Sequence, residues 1–308
     1  MISGSSIDIQ ENALRNKGSL LKTLLIDQTT GKNILWGTNS YTKYGDLFLS
    51  TKHINPELVT GFYGTIIQPR VIKSTEEQLH RTKDKAEVFT PISIVGKINS
   101  LIDQKSLYKG SSDHTWQDYV KDIRMEVACG EAPFIASRYN PTENRGIIKL
   151  ENRVGFLDQK LKVISRYCIN PKQWLIWAKI AFQSSYGFEW QGDSLLIARE
   201  NLLYTLIDYY QAKFGRLPSL TVQQEFAEII SWNIFQMDGV KYVVPMSCKL
   251  ETRIIPGQPT LFGDNLDKIE THECEGCQLA IPTKHNGQYT KIMDWTLNRQ
   301  IRFIDLFA

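Results

Sequence analysis

The sequence lacks an apolar run long enough to cross a membrane, and no segment is typical of a signal peptide. Cysteine is scarce: five in 308 residues, an odd number without regular spacing, which indicates a reducing compartment rather than a disulfide framework. Charge is nearly balanced. The formal net charge of +3 is compatible with nucleic-acid binding but does not require it. We therefore expect a cytoplasmic protein without a membrane partner.

Two nucleotide-binding signatures are also missing. The sequence contains neither the Gly-x-Gly-x-x-Gly turn of nicotinamide-dependent dehydrogenases nor a phosphate-binding P-loop. A nuclease of the Asp/Glu-x-Lys type stays open for the N-terminal part, although Asp46 and Glu57 lack the companion pattern. With 42% hydrophobic residues, the chain can bury a full core.

Two short segments carry the strongest functional pattern. The first is Ala86–Pro91, with the sequence AEVFTP, and the second is Met125–Phe134, with the sequence MEVACGEAPF. Met125–Val127 predicts a short strand with an acidic residue in it, and Ala128–Gly130 supplies small residues where the backbone must turn sharply. A cofactor can approach such a turn closely.

Together the two segments resemble the cofactor pocket of bacterial adenine-N6 DNA methyltransferases, the subunit M type of restriction–modification systems. The family signature is an acidic or polar residue, Pro, Ala-Cys-Gly, two small residues, then an aromatic and an aliphatic residue. Glu126–Ile135 matches it, with Val127 in place of Pro and Ala132 in place of the second Gly. The resemblance implies S-adenosylmethionine as the cofactor, with Phe89–Pro91 covering its methionine end.

A second strand-to-helix unit lies at Tyr186–Trp190. The predicted strand ends in Glu189 and leads into a long helical pattern that Asp193 or Ser194 can cap. A carboxylate at a strand end can accept hydrogen bonds from both hydroxyls of a ribose. The family has a Gly-aromatic-Glu unit here, followed by a helix like Ile197–Leu202, so the resemblance assigns Glu189 to the ribose.

The next predicted strand, Ile234–Met237, ends at Asp238. In family order it resembles the element whose acidic or amide side chain contacts the adenine of the cofactor, which makes Asp238 the next candidate. The positions that the resemblance assigns to cofactor binding are Phe89, Thr90, Pro91, Glu126, Ala128, Cys129, Gly130, Glu189, Trp190 and Asp238.

The catalytic turn of the family is missing. Methylation of an exocyclic amine requires an available lone pair. The family provides it with an Asn/Asp-Pro-Pro-aromatic turn, whose oxygens accept the amine hydrogens while the aromatic ring stacks on a flipped base. The pairs Asn55-Pro56, Asn140-Pro141 and Asn170-Pro171 are each followed by a residue other than Pro. Catalytic residues therefore stay unassigned.

Three interpretations remain open. In the first, a second methylase or specificity subunit supplies the catalytic turn, and the substrate is a flipped adenine in double-stranded DNA. In the second, the chain is a non-catalytic S-adenosylmethionine-binding or DNA-binding protein with a regulatory or restriction-system role. In the third, a substitute turn near Val243–Pro245 supports methyl transfer.

The C-terminal part contains a separate signal. Cys274 and Cys277 form a Cys-x-x-Cys pair, whose spacing lets both sulfurs reach one tetrahedral metal ion. Cys248 and His285 are the candidates for the other two ligands, with His272 as the alternative to His285. The pattern is compatible with zinc, and reduced thiols in a β-turn are the competing interpretation.

We expect an α/β chain with a Rossmann-like methyltransferase fold. Residues 1–80 are predicted to form an N-terminal β-containing extension, in which Leu20–Ile26 and Asn33–Trp36 would pair as a hairpin. Residues 81–245 would form the cofactor-binding core, with a helical insertion near 136–185. Residues 246–308 would form a C-terminal segment with the zinc knuckle.

Overall fold

The computed structural model describes residues 14–85, 87–107, 115–255 and 268–307. Ala86, the first residue of the predicted pocket segment, lies outside this part of the chain. The described residues form a mixed α/β structure. In chain order its helices are α1 (Gly18–Leu25), α2 (Thr75–Lys85), α3 (Ile92–Leu107), α4 (Trp116–Lys121), α5 (Phe156–Tyr167), α6 (Pro171–Gln183), α7 (Gly192–Phe214), α8 (Leu220–Asn233) and α9 (Glu275–Leu279). Its strands are β1 (Ile26–Asp27), β2 (Lys32–Asn33), β3 (Arg124–Glu126), β4 (Ser185–Glu189), β5 (Ile234–Gln236), β6 (Glu251–Ile255), β7 (Lys268–His272), β8 (Lys291–Asp294) and β9 (Arg299–Arg302).

A small parallel sheet, formed by β3, β4 and β5, organises the middle of the chain. β4 lies in the centre and pairs with β3 on one side and β5 on the other, with Phe188 opposite Phe235. Helices lie between each pair of consecutive strands, because a parallel connection must return the chain to the same end of the sheet. The strands predicted at Met125–Val127 and Ile234–Met237 are confirmed to within one residue at each end.

Both faces of this sheet are covered, so β4 is buried along its whole length. On one face, Tyr186 and Phe188 pack in a cluster with Ile292 and Phe303 of the C-terminal segment. On the other face, helices α7 and α8 contact β4 and β5. The predicted long helix is α7, which ends where Gly215 takes φ +68°, a left-handed conformation that favours glycine.

The N-terminal part is more helical than the sequence pattern indicates. The prediction of a strand over Leu20–Ile26 is wrong, because the leucines of this stretch fall on one buried face of helix α1. The predicted hairpin is confirmed only next to its turn, where β1 and β2 pair antiparallel. Short 3-10 turns and loops occupy most of the other described positions before α2.

Buried charged groups attach this N-terminal part to α7. Arg15 donates two hydrogen bonds to the Glu200 carboxylate, at 2.8 and 2.9 Å, and both side chains are buried. Arg199 donates to the carbonyl oxygens of Leu24 and Ile26 at 2.6 and 2.8 Å. Leucines of α1 and α7 belong to the same hydrophobic core, so the N-terminal part is packed against α7 and shares its core.

Within its described residues, the C-terminal segment contains two antiparallel strand pairs, which we call the β6–β7 and β8–β9 hairpins. The β8–β9 hairpin brings Ile292 onto the sheet. The β6–β7 hairpin is largely exposed, including the cross-strand pair of Ile254 (62% exposed) and Ile269 (68% exposed). Along the described ranges of the chain, no helix is both long and apolar enough to span a membrane.

Candidate functional site

A cavity of about 960 Å³ opens along β3 and at the carboxyl end of β4, and helix α3 also contributes to its lining. We call it the cofactor cavity because its lining includes residues that the sequence predicts to bind a cofactor. It is lined by residues from both sequence-predicted pocket segments and from the end of β4. The structure therefore brings together most of the residues predicted to bind the cofactor. Those that line the cavity are Phe89, Thr90, Glu126, Ala128, Cys129, Gly130, Glu189 and Trp190.

The floor of the cavity is the tight turn after β3. The amide of Cys129 donates to the carbonyl of Phe188 on β4 at 2.8 Å, which continues the strand pairing into the turn. Ala128, Gly130 and Ala132 all have positive φ, at +49°, +54° and +61°. The turn thus keeps a glycine-like backbone at Ala132, although a methyl group there makes this conformation less favourable.

Phe89 lies directly on this turn. A Cβ atom at Gly130 would come within 2.9 Å of Cε1 of the Phe89 ring, and Gly130 has φ +54°, so both the close approach and the backbone favour glycine. The Arg70 guanidinium lies 5.3 Å from the centre of the same ring, in cation–π contact. The ring is therefore held between the turn and a cation.

Glu189 faces the turn from the end of β4. Its carboxylate accepts hydrogen bonds from the amides of Gly130 (2.8 Å), Trp190 (2.9 Å) and Gln191 (3.0 Å). Burial raises its pKa, while these amides favour the ionised form. A carboxylate offers about four acceptor positions. Three are occupied here, so the carboxylate keeps unused acceptor capacity.

Glu126 is a second carboxylate in the cavity wall. It accepts hydrogen bonds from the amides of Phe134 (3.3 Å) and Ile135 (3.1 Å), and so holds the chain that follows the turn. Burial raises its pKa well above the usual range, and the nearby charge of Glu189 raises it further. Glu126 thus shapes the loop around the cofactor cavity.

The N-terminal part contributes a wall of the cavity that sequence reasoning missed. Gly37 lines the cavity, and its carbonyl accepts a hydrogen bond from the indole of Trp190 at 2.9 Å. Gly37 has φ +65°, and a Cβ atom there would lie 2.5 Å from the Trp190 carbonyl oxygen. Only glycine fits at this position. The hydrogen bond to the Gly37 carbonyl fixes the Trp190 ring.

A buried ionic network anchors the first pocket segment. Asp193, predicted as a helix cap, instead accepts hydrogen bonds from Tyr41 and Arg81, both at 2.8 Å. Burial acts to raise the Asp193 pKa, but Arg81 and Lys73 lower it overall. Arg81 also pairs with Glu87, which lines the cavity. The network thus joins α2, the first pocket segment and α7.

Two of the predicted residues lie outside the cavity lining. The Pro91 carbonyl accepts hydrogen bonds from the amides of Ile94 and Val95, so this residue starts helix α3. Asp238 accepts hydrogen bonds from the amides of Val240 (2.9 Å) and Lys241 (3.0 Å). Its carboxylate therefore closes the loop after β5.

A second constellation lies in the C-terminal segment. The ligand atoms of Cys248, Cys274, Cys277 and His285 all lie within 4.8 Å of one another, and we call these residues the Cys3His cluster. The three sulfurs lie 3.7, 3.8 and 3.6 Å from Nδ1 of His285, in the same order. Tetrahedral zinc, with bond lengths of about 2.3 Å to sulfur and 2.0 Å to nitrogen, separates such ligands by about 3.6 Å. The residues present fit the ion.

The local backbone explains this convergence. Cys274 is the residue before α9, and its carbonyl accepts a hydrogen bond from the Cys277 amide at 2.9 Å, which turns both sulfurs to one side. A Cβ atom at Gly276 would lie 2.5 Å from the His285 amide nitrogen, so glycine permits this close approach. The sequence predicted all four residues of this cluster. His272, the alternative ligand, lies outside the cluster and forms a hydrogen bond with Gln278.

The thiols of the cluster differ in their acidity. Burial opposes ionisation of Cys274, but the amides of Asn286 and Cys277 and the ring of His285 lower its pKa to about 6. Burial and the neighbouring Cys277 sulfur raise the pKa of Cys248 to about 12. Thiolates so close together repel one another, and a bound cation would offset that repulsion.

Comparisons with protein-family models, with curated proteins and with solved structures find no match to this chain. The functional argument therefore stands on the residues of the two sites and on their geometry.

Proposed function

We propose that the cofactor cavity binds S-adenosylmethionine, and that the chain is the cofactor-binding component of a DNA adenine-N6 methyltransferase of a restriction–modification system. One observation carries this proposal: the small-residue turn after β3 and the carboxylate at the end of the neighbouring parallel strand β4 line the same cavity. In open α/β sheets, ligands bind outside the carboxyl ends of the strands. The Rossmann-like fold is part of the proposal.

The cavity offers groups suited to each part of this cofactor. Glu189 has an acceptor position for a ribose hydroxyl, and the turn residues Ala128 and Cys129 line the cavity beside the Phe89 ring, which covers Gly130. The rings of Phe89 and Trp190 supply apolar walls, each fixed by a polar neighbour. A volume of about 960 Å³ lies within the range of about 300–1,000 Å³ found for small-molecule sites.

A partner polypeptide would complete the catalytic site. In a parallel ladder, the residue between two hydrogen-bonded positions directs its amide and carbonyl away from the partner strand. In β3 that residue is Met125, and no strand within the described ranges pairs with this edge. Ile123 and Val127 flank it, each 69% exposed, and all three residues line the cofactor cavity, so an added strand would also close the cavity on this side. An added strand here would bury them.

In this arrangement the partner, a second methylase or specificity subunit, supplies the Asn/Asp-Pro-Pro-aromatic turn that this sequence lacks. The substrate is double-stranded DNA, with the target adenine flipped out of the stack. The missing turn equally supports a non-catalytic S-adenosylmethionine-binding or DNA-binding role. Methyl transfer to unmethylated DNA, assayed with and without the polypeptide encoded beside this chain, separates the two: transfer with the partner supports the first role, and binding without transfer supports the second.

We also propose that the Cys3His cluster binds one structural Zn²⁺. Four protein ligands leave no open coordination position, which is typical of structural rather than catalytic zinc. Protein purified without chelator should contain about one zinc per chain, and Cys274→Ser should lose it. Metal-free wild type with an ordered cluster region would contradict the assignment.

The cofactor proposal is tested by calorimetric titration with S-adenosylmethionine. We expect wild type to bind and Glu189→Ala to bind at least about tenfold more weakly, because a hydrogen bond to a charged group contributes about 1.5–3 kcal/mol. Glu143→Ala removes an exposed carboxylate outside the cavity lining and serves as the matched control. Circular dichroism checks that each variant is folded. Equal affinity of wild type and Glu189→Ala would refute the assigned role of Glu189.

A further inference from the structure

Lys241 connects the loop after β5 to the Cys3His cluster. Its Nζ lies 3.2 Å from Sγ of Cys277, within hydrogen-bonding distance of a sulfur acceptor. Its amide donates to the Asp238 carboxylate at 3.0 Å. One residue thus contacts both a cysteine of the cluster and the side chain at the end of β5.

The charge of the loaded cluster explains why a cation would lie here. Zn²⁺ with three thiolates and one neutral imidazole has a net charge of minus one, and that charge is delocalised over the sulfurs. An ammonium group that donates to one thiolate reduces this charge and stabilises the metal-bound form. Such outer hydrogen bonds tune metal affinity, and their loss typically costs about 10–100-fold.

Hydrogen bonds within the loop after β5 fix the backbone on either side of Lys241. The Asp238 amide donates to the Val243 carbonyl and the Tyr242 amide donates to the Asp238 carbonyl, both at 2.8 Å. Tyr242 has φ +58°, and its carbonyl accepts a hydrogen bond from the amide of Thr290 at 3.0 Å. Lys241 is therefore presented to Cys277 by a short hydrogen-bonded turn.

We propose that Lys241 is a positioning residue of the metal centre: it donates a hydrogen bond to the zinc-bound thiolate of Cys277, and this bond adds a further restraint to the hydrogen-bonded loop that follows β5. This inference rests on the proposed zinc site. It assigns a role to a residue that supplies no metal ligand, and it links the C-terminal segment to the loop that follows β5.

The test compares zinc affinity, measured by competition with a chromogenic chelator, in wild type and three variants. Lys241→Met should bind zinc about tenfold or more weakly, and Lys241→Arg, which keeps the charge and the donor, should stay within about threefold of wild type. Lys249→Met removes an equal charge next to Cys248, from an exposed lysine with no hydrogen bond to a cluster sulfur. It should match wild type.

Two further measurements distinguish a bond to the thiolate from a general effect on folding. With cobalt in place of zinc, the thiolate-to-metal charge-transfer band should move to longer wavelength in Lys241→Met but not in Lys249→Met, because an N–H donor stabilises the sulfur electrons. In the zinc-loaded protein, the Tyr242 amide should exchange faster in Lys241→Met than in Lys249→Met.

The outcomes separate the two proposals. If wild type binds zinc and Lys241→Met matches Lys249→Met in affinity and spectrum, the role of Lys241 is overturned while the zinc site stands. If wild type binds no zinc, the zinc site is wrong and this inference falls with it. The inference is supported if Lys241→Met binds zinc more weakly than wild type, Lys241→Arg keeps the wild-type affinity, and the charge-transfer band of Lys241→Met moves to longer wavelength.

Discussion

The cofactor cavity and the Cys3His cluster differ in what gives them their shape. Walls of the cavity rest on a continuous hydrophobic core in which Leu195, Leu203 and Ile234 are fully buried. Around the cluster, by contrast, the β6–β7 hairpin leaves isoleucines exposed and few apolar side chains are buried. From this difference we expect the cavity to keep its shape without a ligand, and the cluster region to depend on the proposed zinc ion.

The largest expected effect is therefore that of metal removal. Structural zinc in small sites contributes apparent binding free energies of about 10–16 kcal/mol. Chelation, or Cys274→Ser, should remove the protection of amides in α9 and around Cys248 in hydrogen-exchange measurements. Amides of β4 and α7 should keep theirs. Equal loss of protection in both regions would contradict the claim that only the cluster region depends on the metal.

A substitution in the hydrophobic core should destabilise the fold around the sheet and leave the zinc affinity unchanged. Leu203 is fully buried in α7, so Leu203→Ala should lower the free energy of unfolding by about 2–5 kcal/mol through lost burial and a residual cavity. Urea denaturation measures this, and zinc affinity of the folded variant should not change. Leu279→Ala, at a 56% exposed position in α9, is the control and should cost about 0.5 kcal/mol or less.

A buried lysine makes the stability of the sheet region depend on pH. Lys160 in α5 donates to the Asp122 carbonyl (2.6 Å) and to the hydroxyl of Ser184 (2.8 Å), just before β4. Burial lowers its pKa to about 7, from an ordinary value of 10.5. Between these values the unfolded chain holds the proton and the folded chain does not. Stability should therefore rise with pH from about 7 towards 10.5.

We expect this rise to be on the order of 5 kcal/mol over the whole range, because the two pKa values differ by about 3.5 and each pKa unit corresponds to about 1.4 kcal/mol. Lys160→Met should lack it, even though the variant loses hydrogen bonds and is less stable overall. The measurement is urea denaturation at several pH values in wild type and variant. Parallel pH profiles would show that Lys160 is not the titrating group.

The smallest effect concerns the turn after β3. Ala128 is exposed and has φ +49°, a conformation that glycine adopts more readily. Ala128→Gly should raise the free energy of unfolding by about 1 kcal/mol, because it relieves backbone strain without opening a cavity. Thermal denaturation checks this. A destabilised variant would mean that the alanine conformation is not strained.

The parts of the fold that sequence patterns predicted depend on local signals. Three elements have a recognisable hydrophobic pattern of their own and small residues at their ends: the strand before Ala128, the strand that ends at Glu189 and the long helix after it. The leucines of α1 were assigned to a strand because a short apolar run does not distinguish the two structures by itself.

The remaining features could not be predicted because they join distant parts of the chain. Gly37 contacts Trp190 and Arg81 contacts Asp193, and each pair is separated by more than one hundred residues. Such contacts leave no periodic pattern. The interpretation of Asp193 as a helix cap used only its neighbours in sequence, whereas the buried cations of other elements determine its role.

The most direct test of the account is an experimental structure with S-adenosylhomocysteine, the product form of the proposed cofactor. We predict ligand density in the cofactor cavity, with the nucleoside against Ala128–Gly130 and a ribose hydroxyl within about 3 Å of the Glu189 carboxylate. Density at another site, or a cavity filled by protein side chains in the presence of saturating ligand, would contradict the central claim.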